Sequence, residues 1–348
     1  MKLPLRGIIP PMVTPLLENK ELDRLGLKNL IEYLLEGGVH GIFLLGTNGE
    51  GPSLGYSLRK QLITEACKIV NGRVPVLVGV TDTSFEATLE ISHHSKEAGA
   101  DALVVAPPFY FPISEQEMIE YLEELAPLLP LPFLLYNIPS CTKLHMGIDA
   151  VRKARDLGAI GVKDSSGDIA SLHEIIEEFQ NEPDFSVIVG NELFLSDTIV
   201  RGAHGAVAGG ANFFPRLFVE LYDACLKKDD HSINELGNKV LKIDETIYNV
   251  EKKLKISKVQ VQPSFHKALK KGFMNSNNFK HDYDDAILKI NANQKEYNIY
   301  LSSFFLDQKF VKKGVFQLNK TLGDYKSTPF PVDGCGSWEM DFRSTERN

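Results

Sequence analysis

Tyr136 and Lys163 stand 27 residues apart, each at the end of an apolar run, where a phenol and a buried amine would serve carbonyl chemistry. Lys163 closes the run Ala159-Ile160-Gly161-Val162 and is followed at once by Asp164-Ser165-Ser166-Gly167-Asp168. An ammonium at the end of a buried strand loses hydration, and burial lowers a lysine pKa because it disfavours the charged form. That costs stability but makes a nucleophile. The pKa must fall roughly three units from ~10.4, on the order of 4 kcal/mol, before the amine attacks a carbonyl readily near neutral pH. Such an amine condenses with a 2-oxo acid, and the iminium draws electrons as a carbon–carbon bond forms or breaks. Tyr136, leading into Asn137-Ile138-Pro139, offers a hydroxyl to carry the protons, a contribution of ~10²–10⁴ in rate. The turn Gly46-Thr47-Asn48-Gly49-Glu50-Gly51-Pro52 offers backbone N–H groups and the Thr47 hydroxyl to a carboxylate. Read locally, Lys163 also fits an ordinary surface lysine at a strand end.

These residues need elements to bring them together. Up to about residue 230 the chain repeats a short apolar run, a polar or glycine-rich turn and an amphipathic stretch. Apolar runs predict strands over 7–13, 41–45, 76–80, 102–106, 133–136, 159–163, 186–189 and 205–208. Helices are predicted over 24–36, 54–71, 85–98, 115–129 and 170–179, with Ser53 and Ser114 as N-caps and Glu117 completing a capping box. Eight strand–helix units at a pitch near ~30 residues read as a (β/α)8 TIM barrel, which places chemistry at the C-terminal strand ends. A doubly wound sheet is disfavoured by the lack of a Gly-x-Gly-x-x-Gly turn after the first strand. One more helix is predicted over about 232–254. The division expected is therefore a barrel over 1–230, a C-terminal helical extension over 231–255 and an atypical basic tail over 256–348, with apolar patches at 297–305 and 309–318.

Composition narrows the partners. Of 348 residues, 43% are apolar and 24% charged, and no apolar run reaches the ~20 residues of a membrane helix, so no membrane contact is expected. The first residues lack a signal-peptide core, and Cys67, Cys141, Cys225 and Cys335 lie far apart, so a reducing cytoplasm is expected, with neither disulfides nor zinc. No histidine pattern indicates a metal. Residues 251–348 carry 17 Lys and Arg against 11 Asp and Glu, whereas the first 250 carry 21 against 35. That acidic body argues against nucleic acid.

Four motifs in order, Gly46-Thr47-Asn48-Gly49-Glu50, Tyr136-Asn137-Ile138-Pro139, Gly161-Val162-Lys163-Asp164-Ser165-Ser166-Gly167-Asp168 and Gly205-Ala206-Val207-Ala208-Gly209-Gly210-Ala211-Asn212, carry a resemblance to a known family. Over roughly residues 5–250 the chain resembles the dihydrodipicolinate synthase/N-acetylneuraminate lyase family, pyruvate-dependent class I aldolases that need no cofactor. The resemblance implies that Lys163 forms the Schiff base and Tyr136 gives and takes the proton. Thr47 would link Tyr136 to Tyr110, a residue that in family tetramers reaches across a dimer interface, so a homo-oligomer (dimer or tetramer) is implied. Thr47 and Asn48 match the carboxylate-binding turn and Val207 a backbone contact to the oxo acid. Ser165, Gly190 and Glu192 fall where sugar-acid lyases of the family hold the rest of the substrate. Read without the resemblance, Tyr110 is a packing aromatic, Glu192 a solvated acid at a helix start, and Gly209 and Gly210 permit close strand–helix packing.

The chain also departs from the family. Dihydrodipicolinate synthases follow Tyr-Asn-x-Pro with Ser-Arg-Thr-Gly, and the arginine holds the aldehyde's carboxylate. Here Cys141 takes that place, which cannot pair bidentately with a carboxylate, and Lys143 two residues on offers only a point charge. N-Acetylneuraminate lyases carry Ser-Thr in place of Thr47-Asn48 and a hydroxyl in place of Gly209. The pattern looks more like aldolases that split a 4-hydroxy-2-oxo acid or a 2-keto-3-deoxy sugar acid into pyruvate and an aldehyde. The synthase and the sialic-acid lyase are alternatives within the family, and a non-catalytic 2-oxo-acid-binding barrel is the alternative outside it. After about residue 254 the resemblance is lost.

Overall fold

A computed structural model of the chain describes residues 1–17 and 19–244, and the backbone of 286–292 and 295–301. The eight predicted strands are present: β1 (Gly7–Ile8), β2 (Ile42–Leu44), β3 (Val76–Gly79), β4 (Ala102–Val105), β5 (Phe133–Asn137), β6 (Ala159–Asp164), β7 (Ser186–Val189) and β8 (Gly205–Ala206). They pair in parallel in the order β1-β8-β7-β6-β5-β4-β3-β2. The ring closes where Pro11 bridges Phe43, with Phe43 N–H donating to Pro10 O at 3.0 Å and Met12 N–H to Phe43 O at 2.8 Å. This is a (β/α)8 barrel.

Alternate strand residues make the interior. Phe43, Leu77, Ala102 with Val104, Leu134 with Tyr136, and Ile188 share one buried cluster, the period of two that strands impose. Both faces of every strand are covered, so the strands read as apolar runs and not as an alternation.

The helices are α1 (Arg24–Glu36), α2 (Tyr56–Val70), α3 (Phe85–Ala98), α4 (Glu115–Leu125), α5 (Pro139–Thr142), α6 (Ile148–Asp156), α7 (Ile169–Phe179), α8 (Leu195–Arg201), α9 (Pro215–Lys227) and α10 (Asp230–Ile243). Ser114 forms the expected capping box with Glu117. Ser53 does not cap α2. It ends a short 3₁₀ turn opened by Gly51-Pro52, and Gly55 takes the cap position. Helix α4 stops at Leu125 because Pro127 lacks the N–H a further turn requires, and a 3₁₀ turn follows.

The chain divides into two compact units, Met1–Gly237 and Asn238–Asn348. Helix α10 accounts for the first part of the helix predicted over 232–254, and residues 245–255 lie outside the described residues. In the second unit β9 (Ala286–Ala292) and β10 (Lys295–Leu301) pair antiparallel, setting Tyr297 opposite Ile290 and Ile299 opposite Leu288. The hairpin takes in the start of the apolar patch at 297–305, while the patch at 309–318 and Cys335 fall outside the described residues. Cys67, Cys141 and Cys225 are free thiols.

Candidate active site

A bulge decides which residues meet at the rim. β5 and β6 start in register at Phe133 and Ala159, but Leu134 then pairs with Gly161, so Ile160 is the extra residue. Without it Tyr136 would face Val162. With it Tyr136 pairs with Lys163 and Asn137 with Asp164. A one-residue slip moves every later side chain to the other face, so the bulge turns Lys163 onto the interior face that Tyr136 occupies.

The amine of Lys163 is buried, its residue only 3% exposed, and Nζ lies 3.5 Å from the centre of the Tyr136 ring. Phe43 closes another side, its ring centre 6.0 Å from Nζ and set edge-on to Tyr136. Nζ donates to Ser165 Oγ at 2.8 Å. Burial pushes the amine's pKa down, and the Tyr136 phenol, the Asp164 carboxylate and the Cys141 thiol pull it back only in part. The surface-lysine alternative is thereby removed.

One residue further on, at the very ends of β5 and β6, Asn137 and Asp164 brace the two strands. Asn137 Nδ2 donates to Asp164 Oδ2 at 2.8 Å and to Met146 O at 3.3 Å, and Met146 N–H returns to Asn137 Oδ1 at 3.2 Å. Ser166 donates to Asp164 Oδ1 from both N–H and Oγ. Asp168 then caps α7, accepting from the N–H groups of Ala170 and Ser171. The polar run after Lys163 is therefore a strand exit joined to a helix start.

Thr47 and Asn48 sit half-buried in the turn after β2. That turn is tight: a Cβ at Gly51 would lie 2.1 Å from Leu45 O. Arg59 anchors its far end, donating to Pro52 O and Leu54 O and pairing with Asp82 at 2.8 Å. Burial pushes the Asp82 carboxyl up, but hydrogen bonds from Arg59, Ser84 and Tyr56 outweigh it and hold the pKa below the usual range.

The remaining predicted residues are placed as follows. Val207 is buried beside β8 and its N–H donates to Val189 O at 2.8 Å, so the backbone atom it can offer a ligand is its carbonyl oxygen. Gly190 lies against Ser165. Glu192 is buried and not solvated, its Oε2 accepting from Gly210 N–H at 2.8 Å, so it holds the turn after β8. Tyr110 is 76% exposed, packed edge-on against the equally exposed Phe111 at 4.9 Å and not into the barrel. Among the described residues neither its hydroxyl nor that of Thr47 hydrogen-bonds within the chain. Cys141 is exposed on α5, within electrostatic reach of the Lys163 amine. The sequence reading did not single out Phe43, Asn137 or Asp164. The last two stood inside the recognised motifs, whereas Phe43 looked like any strand apolar. No group of three or more His, Cys, Asp or Glu among the described residues could hold a metal ion, and no described helix is long and apolar enough to cross a membrane.

A closed β/α ring holding an amine against a phenol at its C-terminal rim defines a carbonyl-condensing barrel. Residues 4–263 match the model of the Dihydrodipicolinate synthetase family, and the chain belongs to that family. It is a carbon–carbon lyase, a class I pyruvate aldolase. The putative 2-dehydro-3-deoxy-D-gluconate aldolase YagE of Escherichia coli K12 is 37% identical over 221 residues, 63% of this chain and 73% of that protein. The crystal structure of YagE in complex with pyruvate superposes with a TM-score of 0.70 at 32% identity, over 78% of this chain and 88% of that one. The structure of a dihydrodipicolinate synthase from Bacteroides thetaiotaomicron gives a TM-score of 0.70 at 45% identity, over 72% and 84%.

Proposed function

We propose that this aldolase cleaves a 4-hydroxy-2-oxo acid of the 2-keto-3-deoxy sugar-acid type into pyruvate and an aldehyde, with Lys163 as the Schiff-base residue. The observation that carries the reading is the buried amine of Lys163 at 3.5 Å from the Tyr136 ring. Nζ bonds to the keto carbon. The keto oxygen leaves as water, taking one amine proton and one proton from Tyr136, and the iminium keeps the other amine proton. Tyr136, now a phenolate, accepts the proton of the C4 hydroxyl as the C3–C4 bond breaks. The aldehyde departs and the bond's electrons rest in the enamine. Tyr136 passes that proton to C3, and water then hydrolyses the iminium, giving one proton to Nζ and one to the Tyr136 phenolate as pyruvate and the free amine are released. Thr47 and Asn48 hold the carboxylate, and Val207 makes a backbone contact to the oxo acid elsewhere along its chain. Ser165, Gly190 and Glu192 border the distal part of the substrate.

Cys141 supports the sugar-acid substrate, because an exposed thiol cannot hold an aldehyde's carboxylate as an arginine fork does. The similarity to YagE points the same way. The second reading, condensation of pyruvate with aspartate semialdehyde, is favoured by the 45% identity to a structure named as a synthase. Cleavage of 2-keto-3-deoxy acids, run beside condensation of pyruvate with a panel of aldehydes, separates the two. Borohydride with pyruvate tests the shared step: reduction adds the pyruvate-derived mass to a peptide containing Lys163, and no adduct would leave only a binder. The exposed Tyr110 and Phe111 support assembly as a dimer or tetramer in which Tyr110 meets a second copy, a state that sedimentation measures. Three parts are proposed, a barrel over 1–230, a helical extension over 231–255 and a tail over 256–348, and the protein is assigned to the cytoplasm.

A further inference from the structure

Two features around Lys163 go beyond its burial. Nζ donates to Ser165 Oγ at 2.8 Å, and Ser165 is itself fixed, its N–H donating to Asn137 O at 2.8 Å. The room for that hydroxyl comes from the next strand. A Cβ at Gly190 would lie 1.9 Å from Ser165 Oγ, and Gly190 N–H is tied to Asp164 O at 2.6 Å, so neither partner can retreat. A neutral amine has two N–H groups and one lone pair. With one N–H on Ser165 Oγ and the Tyr136 ring filling a second direction, the lone pair is confined to the side left open. We infer that Ser165, seated in the notch left by Gly190, is a positioning residue that aims the Lys163 amine at the incoming keto carbon.

This role rests on the Schiff-base reading and adds a function to Ser165 before any substrate hydroxyl arrives. It also explains why position 190 lacks a side chain, which contact with a sugar acid alone would not demand. The hydroxyl acts on formation of the nitrogen–carbon bond, so its loss slows imine formation more than it weakens pyruvate binding.

The test is the rate of borohydride-trapped imine formation at saturating pyruvate, with the pyruvate concentration dependence measured alongside. Ser165→Ala is expected to slow trapping about tenfold, the worth of one neutral hydrogen bond withheld from the reacting geometry, with KM within about twofold. Gly190→Ala, which keeps the serine but expels its hydroxyl, is expected to slow trapping similarly, and Ser165→Thr to recover most of the rate. Ser165→Ala trapping at the wild-type rate would overturn the inference alone, as would an equal loss in Ser165→Thr. A wild-type protein that forms no adduct would overturn the aldolase reading and this inference with it.

Discussion

At the scale of single residues the site trades stability for reactivity. Lys163 is charged in the unfolded chain, but burial favours its neutral form in the fold. The sign follows from proton counting. Between the depressed folded pKa and the unfolded one the unfolded state holds the extra proton, so stability rises with pH across that window and levels off above the unfolded value near ~10.4. Lys163→Met should therefore melt at a higher temperature than the wild type at neutral pH while forming no pyruvate adduct. The same depression sets the acid limb of the pH–rate profile for imine trapping below the ordinary lysine pKa, because only the neutral amine attacks. Tyr136→Phe keeps the ring that packs on Phe43 and removes only the proton carrier, so kcat should fall about 10²–10⁴-fold with the fold intact by circular dichroism. Cys141→Arg should add condensation with aspartate semialdehyde, and no gain would remove thiol-for-arginine exchange as the basis of substrate choice.

At the scale of elements, the strand ends were legible because a barrel strand buried on both faces reads as an unbroken apolar run, and all eight appear where such runs lie. The bulge at Ile160 was not legible. Its neighbours are Ala159 and Gly161, and although a glycine inside a strand run often marks a bulge, which residue is extra shows only in the pairing with β5. The pairing of Tyr136 with Lys163 thus depends on a detail of register that spacing alone does not contain. Ser53 was misread because serine favours caps in general, while Gly51 and Pro52 impose a 3₁₀ turn that postpones the helix by two residues. The buried pair of Arg59 and Asp82, which anchors the turn carrying Thr47 and Asn48, also has no local signature, since its partners lie 23 residues apart. Arg59→Met strands a buried carboxylate and should cost about 3–5 kcal/mol in denaturant titration, with a raised KM for pyruvate in the surviving folded protein.

At the scale of the whole molecule, the floor of the barrel carries a pH dependence of its own. His204 is buried, its Nδ1 accepts from Val187 N–H, and burial, aided by the charge of Arg6, pushes its pKa down to about 4. The folded state holds this histidine neutral, so its contribution is complete above the unfolded pKa of ~6.5 and fades as pH falls toward 4. The shift corresponds to at most about 3 kcal/mol, at 1.36 kcal/mol per unit. The difference in unfolding free energy between the wild type and His204→Gln should shrink across that window. The acidic window is remote from the amine, so imine trapping at neutral pH is the wrong assay for it.

The closure of the ring between β1 and β2 has one more consequence. Pro10 sits where the strand would donate toward β2, between the N–H groups of Ile8 and Met12 that both point that way, and proline has no N–H to give. The join is left with a few backbone bonds, including His40 N–H to Ile8 O and Phe43 N–H to Pro10 O, while β5 and β6 pair at five positions. Such a cylinder should breathe along its stitching before it ruptures anywhere else. Deuterium would then enter at Met12 and Phe43 ahead of Leu135 and Val162, and the loosened edge is the one leading up to Thr47.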